Sequence, residues 1–223
     1  EFMNGLFKKY GEKNIQKWAD DMKTILYEDG TMHLTMGQAM SLLEIAQRPD
    51  AQSHLYEGFK AGMIKMKGKE HYDNNAHVLT RQLIKEITEK LTPEQKAFSD
   101  ELQQYMANVG GKRGNNRTLQ MFGYEMFGDP HYFPMNTDKT TIQTNVQNSS
   151  EEGAINGILN AGITKEVQEN AHNPLILDNI LDVFLDHMNQ INTYAAYAGV
   201  IQDINRINNY KQTESHETDG EQH

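Results

Sequence analysis

The chain has 223 residues, 21 Lys and Arg against 31 Asp and Glu, a formal net charge of -10 and no cysteine. Without cysteine, disulfide scaffolds, Cys-based zinc sites and thiol nucleophiles are excluded, and the acidic balance disfavours a general coat on a phosphate backbone. No apolar run reaches the roughly 18 to 20 residues of a membrane span, no signal peptide stands at the start, and the length suffices for a sizeable core.

Mean hydropathy is -0.73, a polar value to which abundant Asn and Gln contribute. Glu1-Phe2 ahead of Met3 reads as a cloning scar, so the chain is expected to be an excised fragment. Residues 3 to 28 read as a helix through Leu6, Ile15, Trp18, Met22, Ile25 and Leu26, with Gly11 weakening its early part. A second helix begins at Thr35, an N-cap with Gln38 three residues on, and ends before Pro49. "MKGKEHYDNNAH" reads as a polar loop. Leu79, Leu83, Ile84, Ile87 and Leu91 then mark an amphipathic helix. Thr92, Pro93 and Gln95 open the next, which is expected to run to about Val109 and stop at Gly110-Gly111.

Between Met121 and Asp138, "MFGYEMFGDPHYFPMNTD" concentrates aromatics, prolines and glycines. Proline restricts itself and the residue before it. Asp129 and Phe133 are therefore biased to extended backbone, and Tyr132, Phe133 and Pro134 read as a packed connector between helices. Residues 139–171 form a polar excursion, an extended arm or loop that could hold a short β hairpin, and removing it should hurt assembly more than folding. From Leu175 to about Tyr210 helical spacing returns through Ile180, Phe184, His187, Ile191 and Tyr194, continued by Ile201, Ile204 and Ile207. Pro174 reads as the start of that helix, and 211–223 as a disordered tail. The expected fold is mainly α: an irregular helical bundle in one domain over 1–210, with a long C-terminal helix and no βαβ alternation.

Signals for chemistry are sparse. His71, Asp73 and His77 could supply metal ligands, but a solvated polar loop is the favoured reading, and no HExxH or calcium-loop spacing exists. His131, beside Asp129, could be oriented and tuned as a base, yet no nucleophile or oxyanion hole accompanies it; His187, inside the last helix, reads as a hydrogen-bonded core or boundary histidine ahead of a general base. No catalytic residue, metal or cofactor is therefore assigned. "GGKRGNNRT" is glycine-rich and basic. Its Lys112, Arg113 and Arg117, followed by Tyr124, are the best candidates for nucleic-acid binding, through phosphate pairing and base stacking. The alternative is a helix C-terminus whose cations complement the macrodipole. Tyr194, Ala195, Tyr197, Ala198 and Gly199 allow close helix approach, within one chain or between two.

Taken together, "LTMGQAMSLLEIAQRPDAQSHLYEG", "LTPEQKAFSDELQQYMA", "GYEMFGDPHYFPMNTD" and the "NPLILDNILDVFLDH" helix resemble segments of the large polyvalent proteins of gut-bacterial prophages and conjugative elements. The resemblance runs from residue 30 to 210. "SHLYEGF" departs from it, where similar sequences have a glycine-rich turn. The resemblance implies neighbouring methylase-like or helicase-like modules, but their own motifs are absent here and no catalytic residue carries over.

The expected function is therefore a non-enzymatic structural or interaction domain of a phage or mobile-element multidomain protein. It would space or dock neighbouring modules, with self-association as one route, in the cytoplasm of a bacterial host or associated with a virion. The alternative is a nucleic-acid-binding accessory module built on residues 110–118.

Overall fold

The computed structural model describes residues 1–27, 30–48, 51, 55, 58–66, 69–72, 81–122, 130–137 and 174–219. The excursion at 139–171 lies outside them, as do Asp73, His77, Tyr124 and Asp129. The described residues are mostly helical, with short strands at the edges.

The chain opens with α1 (Phe2–Tyr10) and α2 (Glu12–Asp20), separated at Gly11, whose φ of 83° only glycine adopts without strain. The expected helix over 3–28 is thus broken, and its last third is not helical. Met22–Tyr27 is strand β1, paired antiparallel with β2 (Gly30–Thr35) in a register that sets Tyr27 opposite Gly30. Two local signals outweigh the apolar spacing. Asp29 and Gly30 are residue types that favour turns, and Met32 and Leu34, both buried, alternate with Thr31 and His33.

Helix α3 (Met36–Ala46) is the hub. It opens on the full capping box: Thr35 Oγ1 accepts from the Gln38 N–H at 3.0 Å, and Gln38 Oε1 accepts from the Thr35 N–H at 3.0 Å. Nearly every residue of α3 is buried, polar ones included, as expected of a helix that is covered all round. It packs against α2, β2, a helix α4 (Arg81–Glu89), a helix α5 (Pro93–Tyr105), a strand β7 (Leu175–Leu177) and the long helix α7 (Ile180–Asp219).

Beyond α3, the expected polar loop contains a hairpin. Strands β4 (Met63–Met66) and β5 (Lys69–Tyr72) pair antiparallel, with Met66 opposite Lys69. Gly68 between them is a natural turn residue. The preceding β3 (Phe59–Ala61) pairs in parallel with β7, and β7 pairs antiparallel with β6 (Asn136–Thr137). One short parallel pair therefore exists, although among the described residues no repeated alternation of strand and helix does.

Helix α5 begins at the expected Thr92–Gln95 capping box with Pro93 in its first turn. It does not stop at Gly110-Gly111. A π turn, Met106–Gly110, leads directly into α6 (Gly111–Phe122), and Gly111 holds helical angles of -57° and -47°. Gly110 is buried where a Cβ would come within 3.0 Å of Ile191 on α7, so its missing side chain serves helix packing and not chain reversal.

Helix α7 starts later than its sequence pattern implied. Pro174 precedes strand β7, and the cap is Asn179: its Oδ1 accepts from the Leu181 N–H at 3.0 Å, and its carbonyl from the Val183 N–H. At the other end the helix continues to Asp219, through residues expected to be disordered. No glycine or proline interrupts the sequence between Gly199 and Gly220, so composition alone supplies no breaker.

The core joins buried side chains of α1 to α5 and α7 with strand and connector residues, among them Leu6, Met40, Leu42, Ile87, Phe98, Leu102, Phe133 and Ile180. Two aromatic groups flank it. Tyr10, Trp18 and Phe98 meet edge to face at 5.7 to 6.0 Å. Phe2 stacks on Tyr105 at 3.9 Å and meets Phe184 at 5.9 Å. Phe2 is thus packed against the core.

Candidate functional site

The Tyr132–Pro134 connector is fastened from both sides. Gln103, on α5, donates through Nε2 to the carbonyls of Pro130 at 3.0 Å and Tyr132 at 3.1 Å. Arg48, just after α3, donates from its guanidinium to the Phe133 carbonyl and lies over the Tyr132 ring, 5.6 Å from its centroid. The Phe133 ring is fully buried, Pro134 is half-buried, and burial pushes the Tyr132 phenol well above its ordinary pKa, against the pull of Arg48. Tyr132 also packs on His187 of α7, with ring centroids 5.2 Å apart. Burial drives the His187 imidazole down to about 4, which keeps it neutral at physiological pH. A neutral, buried imidazole against a phenol ring is a packing contact.

A second polar group crosses the seam between α3 and α5. Ser99 donates to the Glu44 carboxylate, its Oγ also lies 3.4 Å from the Met40 carbonyl, and Gln47 Nε2 is 3.5 Å from Oε2 of Glu44. Burial raises Glu44 to about 7; Ser99 opposes that shift and the neighbouring Asp100 reinforces it. A third joint gathers at the start of α7. Asn179 Nδ2 donates to the Ala19 carbonyl at 3.0 Å, and a Cβ on Gly37 would lie 2.6 Å from that amide nitrogen. Gln38 Nε2 donates to the Leu177 carbonyl, which also accepts from the Gly62 N–H. In each joint, side-chain amides, a guanidinium or a hydroxyl serve backbone carbonyls or each other.

The basic segment has a different setting from the one expected. It is neither a loop nor a helix C-terminus but the first part of α6, because the π turn carries the helix through the glycines. Arg113 and Arg117 lie four residues apart and therefore share a face. Both turn to α7: Arg113 bonds the Asn192 side-chain carbonyl, and the Arg117 guanidinium fills the space a side chain at Gly199 would need. Lys112, one position round the helix, is exposed and belongs to another face. The three cations are not gathered into one outward strip.

The remaining candidates are scattered. His131 is exposed at the turn before the connector, and His71 lies within strand β5. Among the described residues no three His, Asp or Glu side chains could together hold a metal ion. No described helix is long and apolar enough to cross a membrane.

The surface of α7 divides at about Tyr194. Ile180, Phe184, His187, Met188, Ile191 and Tyr194 are buried, whereas Tyr197 is 59% exposed and Val200 55% exposed. Gly199 is occupied by Arg117 of the same chain, so the small-residue part of the seam serves intramolecular packing. Tyr197 and Val200 point elsewhere.

Set against known protein families, curated proteins and solved structures, the chain matches none.

The sequence missed Arg48, Gln103, Glu44, Ser99 and Asn179. One signal was available for Glu44. It is the sole charge in Met36–Ala46, and a helix so poor in charge has no solvent face on which to place it.

Proposed function

We propose that this chain is a non-enzymatic helical docking module of a phage or mobile-element multidomain protein, spacing neighbouring modules by pairing α7 with the α7 of a second copy. The observation that carries the reading is the mismatch between α7 and its own core. The helix has 40 residues, about 60 Å at 1.5 Å per residue. Its last wholly buried described side chain is Tyr194. Beyond it stand exposed Tyr197 and Val200, and the sequence continues with Ile204 and Ile207. Spacings of three, four and three are those of a helix-pairing seam. A seam of this kind is self-complementary, which suits a two-fold pair of identical chains.

The polar joints support a structural role as well. Gln38, Gln103, Arg48 and Asn179 spend their donors on backbone carbonyls at element junctions, where they hold elements together. The nucleic-acid alternative loses support, since Arg113 and Arg117 are engaged with α7. The compartment that accompanies this reading is the cytoplasm of a bacterial host, with virion association as a further setting.

A chain ending at residue 196 tests the proposal. It keeps the buried half of α7 and should retain the helical circular-dichroism signal of the rest, while its mass by light scattering falls from that of a pair to that of one chain. A truncated chain that pairs as well as the full one overturns the reading.

A further inference from the structure

The seam between α3 and α5 has a feature that docking does not explain, and it stands independently of that reading. Glu44 is 2% exposed and faces Ser99, which is wholly buried. The Ser99 hydroxyl has one hydrogen and two acceptors within reach, the Glu44 carboxylate and the Met40 carbonyl. With Glu44 ionised, the hydroxyl hydrogen goes to the carboxylate and the Met40 contact lacks its donor. With a proton on Glu44, the carboxyl O–H donates to Ser99 Oγ, and Ser99 donates onward to Met40. Every acceptor in the chain is then served, and no charge is buried.

We propose that Glu44 is a proton-held latch: the α3–α5 seam is closed by one proton shared along Glu44, Ser99 and Met40, and it loosens when that proton leaves.

The surroundings favour the closed form. Asp100, next to Ser99 on α5, acts on Glu44 both through its negative charge, which disfavours a second one beside it, and as a side-chain hydrogen-bond partner of the protonated carboxyl. Gln47, on Glu44's own side of the seam, approaches Oε2 at 3.5 Å and offers weak compensation. Arg48, the nearest cation in sequence, directs its guanidinium to the Phe133 carbonyl. Among the described residues, no charge on α2, β2, α4, α7 or β7 acts on Glu44. Burial raises the carboxyl to about 7, so the latch opens near neutrality and not in acid.

The sign follows from linkage. A carboxyl whose folded pKa is raised stabilises the fold fully below its unfolded pKa, and that stabilisation is lost as pH rises through the folded value. Denaturant unfolding of the full chain and of Glu44→Gln, followed from pH 5 to pH 8, tests this. Glutamine imitates the protonated carboxyl, since it can donate to Ser99 and carries no charge. Relative to the variant, the folded-to-unfolded ratio of the wild type should fall by roughly tenfold to a hundredfold across that range. Curves that keep a constant separation overturn the latch. Should Glu44→Gln fail to fold, the carboxyl carbon of Glu44 can be titrated by NMR in the wild-type chain. A midpoint near 7 supports the proposal, and one below 5 overturns it.

Discussion

At the scale of single residues, the chain is held by polar side chains that reach across element boundaries. Gln103 illustrates the magnitude. It satisfies two connector carbonyls in a largely buried setting, and each such bond contributes about 1 kcal/mol net while an orphaned partner costs about 1–3 kcal/mol. Gln103→Leu keeps the volume and removes both bonds, so denaturant unfolding should show a loss of about 1–3 kcal/mol. Phe133→Ala should cost more, about 3–5 kcal/mol, because a fully buried ring leaves a cavity. His187 sets the acid limit. Its folded pKa is depressed to about 4 from 6.5, so the unfolded chain binds the proton first and stability falls as pH drops below 6.5. Between pH 7 and pH 4.5 the wild type should lose about 2 kcal/mol relative to His187→Gln, and equal acid sensitivity would contradict the assignment. Little of this was legible in the sequence. Glutamines at positions 38 and 95 could be read as capping residues because a cap is a local pattern. Gln103, Arg48 and Glu44 act on partners dozens of residues away, and spacing carries no record of that.

At the scale of elements, local chemistry decided what could be read. The Thr35–Gln38 and Thr92–Gln95 starts formed as written, since each cap is complete within four residues. Apolar periodicity failed where a turn competed with it, as at Asp29-Gly30, where the expected helix gives way to a hairpin. It failed again at Gly110-Gly111, read as a stop because glycine favours helix ends. There a packing demand prevailed, for the π turn lies against Ile191 and Met188 of α7. The start of α7 is the most informative junction. Asn179 caps one helix and grips the end of another with its amide. Asn179→Asp keeps the cap and loses the donor to Ala19, whereas Asn179→Ala loses both. The alanine variant should cost about 1–2 kcal/mol by thermal or chemical unfolding, and the aspartate variant clearly less than that. Equal losses would show that the bond to Ala19, and not the cap, is what matters.

At the scale of the whole molecule, two opposing titrations bound the pH range of the fold. Loss of the Glu44 proton weakens it as pH rises toward and past 7, and gain of a proton by His187 weakens it as pH falls below 6.5. The mainly helical architecture with a long final helix was legible, because sustained periodicity survives long-range packing. The strands were not, since β3 and β7 owe their pairing to segments 116 positions apart, Phe59 opposite Leu175. Nor could sequence spacing tell which side of α7 remains open. The structure separates the face that ends at Tyr194 from the one that begins with Tyr197 and Val200. Docking through that open face is the central claim, and the mass of the intact chain tests it most directly. Light scattering over a concentration series should give twice the 25.5 kDa of one chain for the wild type. Tyr197→Glu combined with Val200→Glu, which leaves the buried face untouched, should give a single chain with unchanged helical content. A wild type that stays at one chain's mass throughout, or a double variant that still pairs, would contradict it.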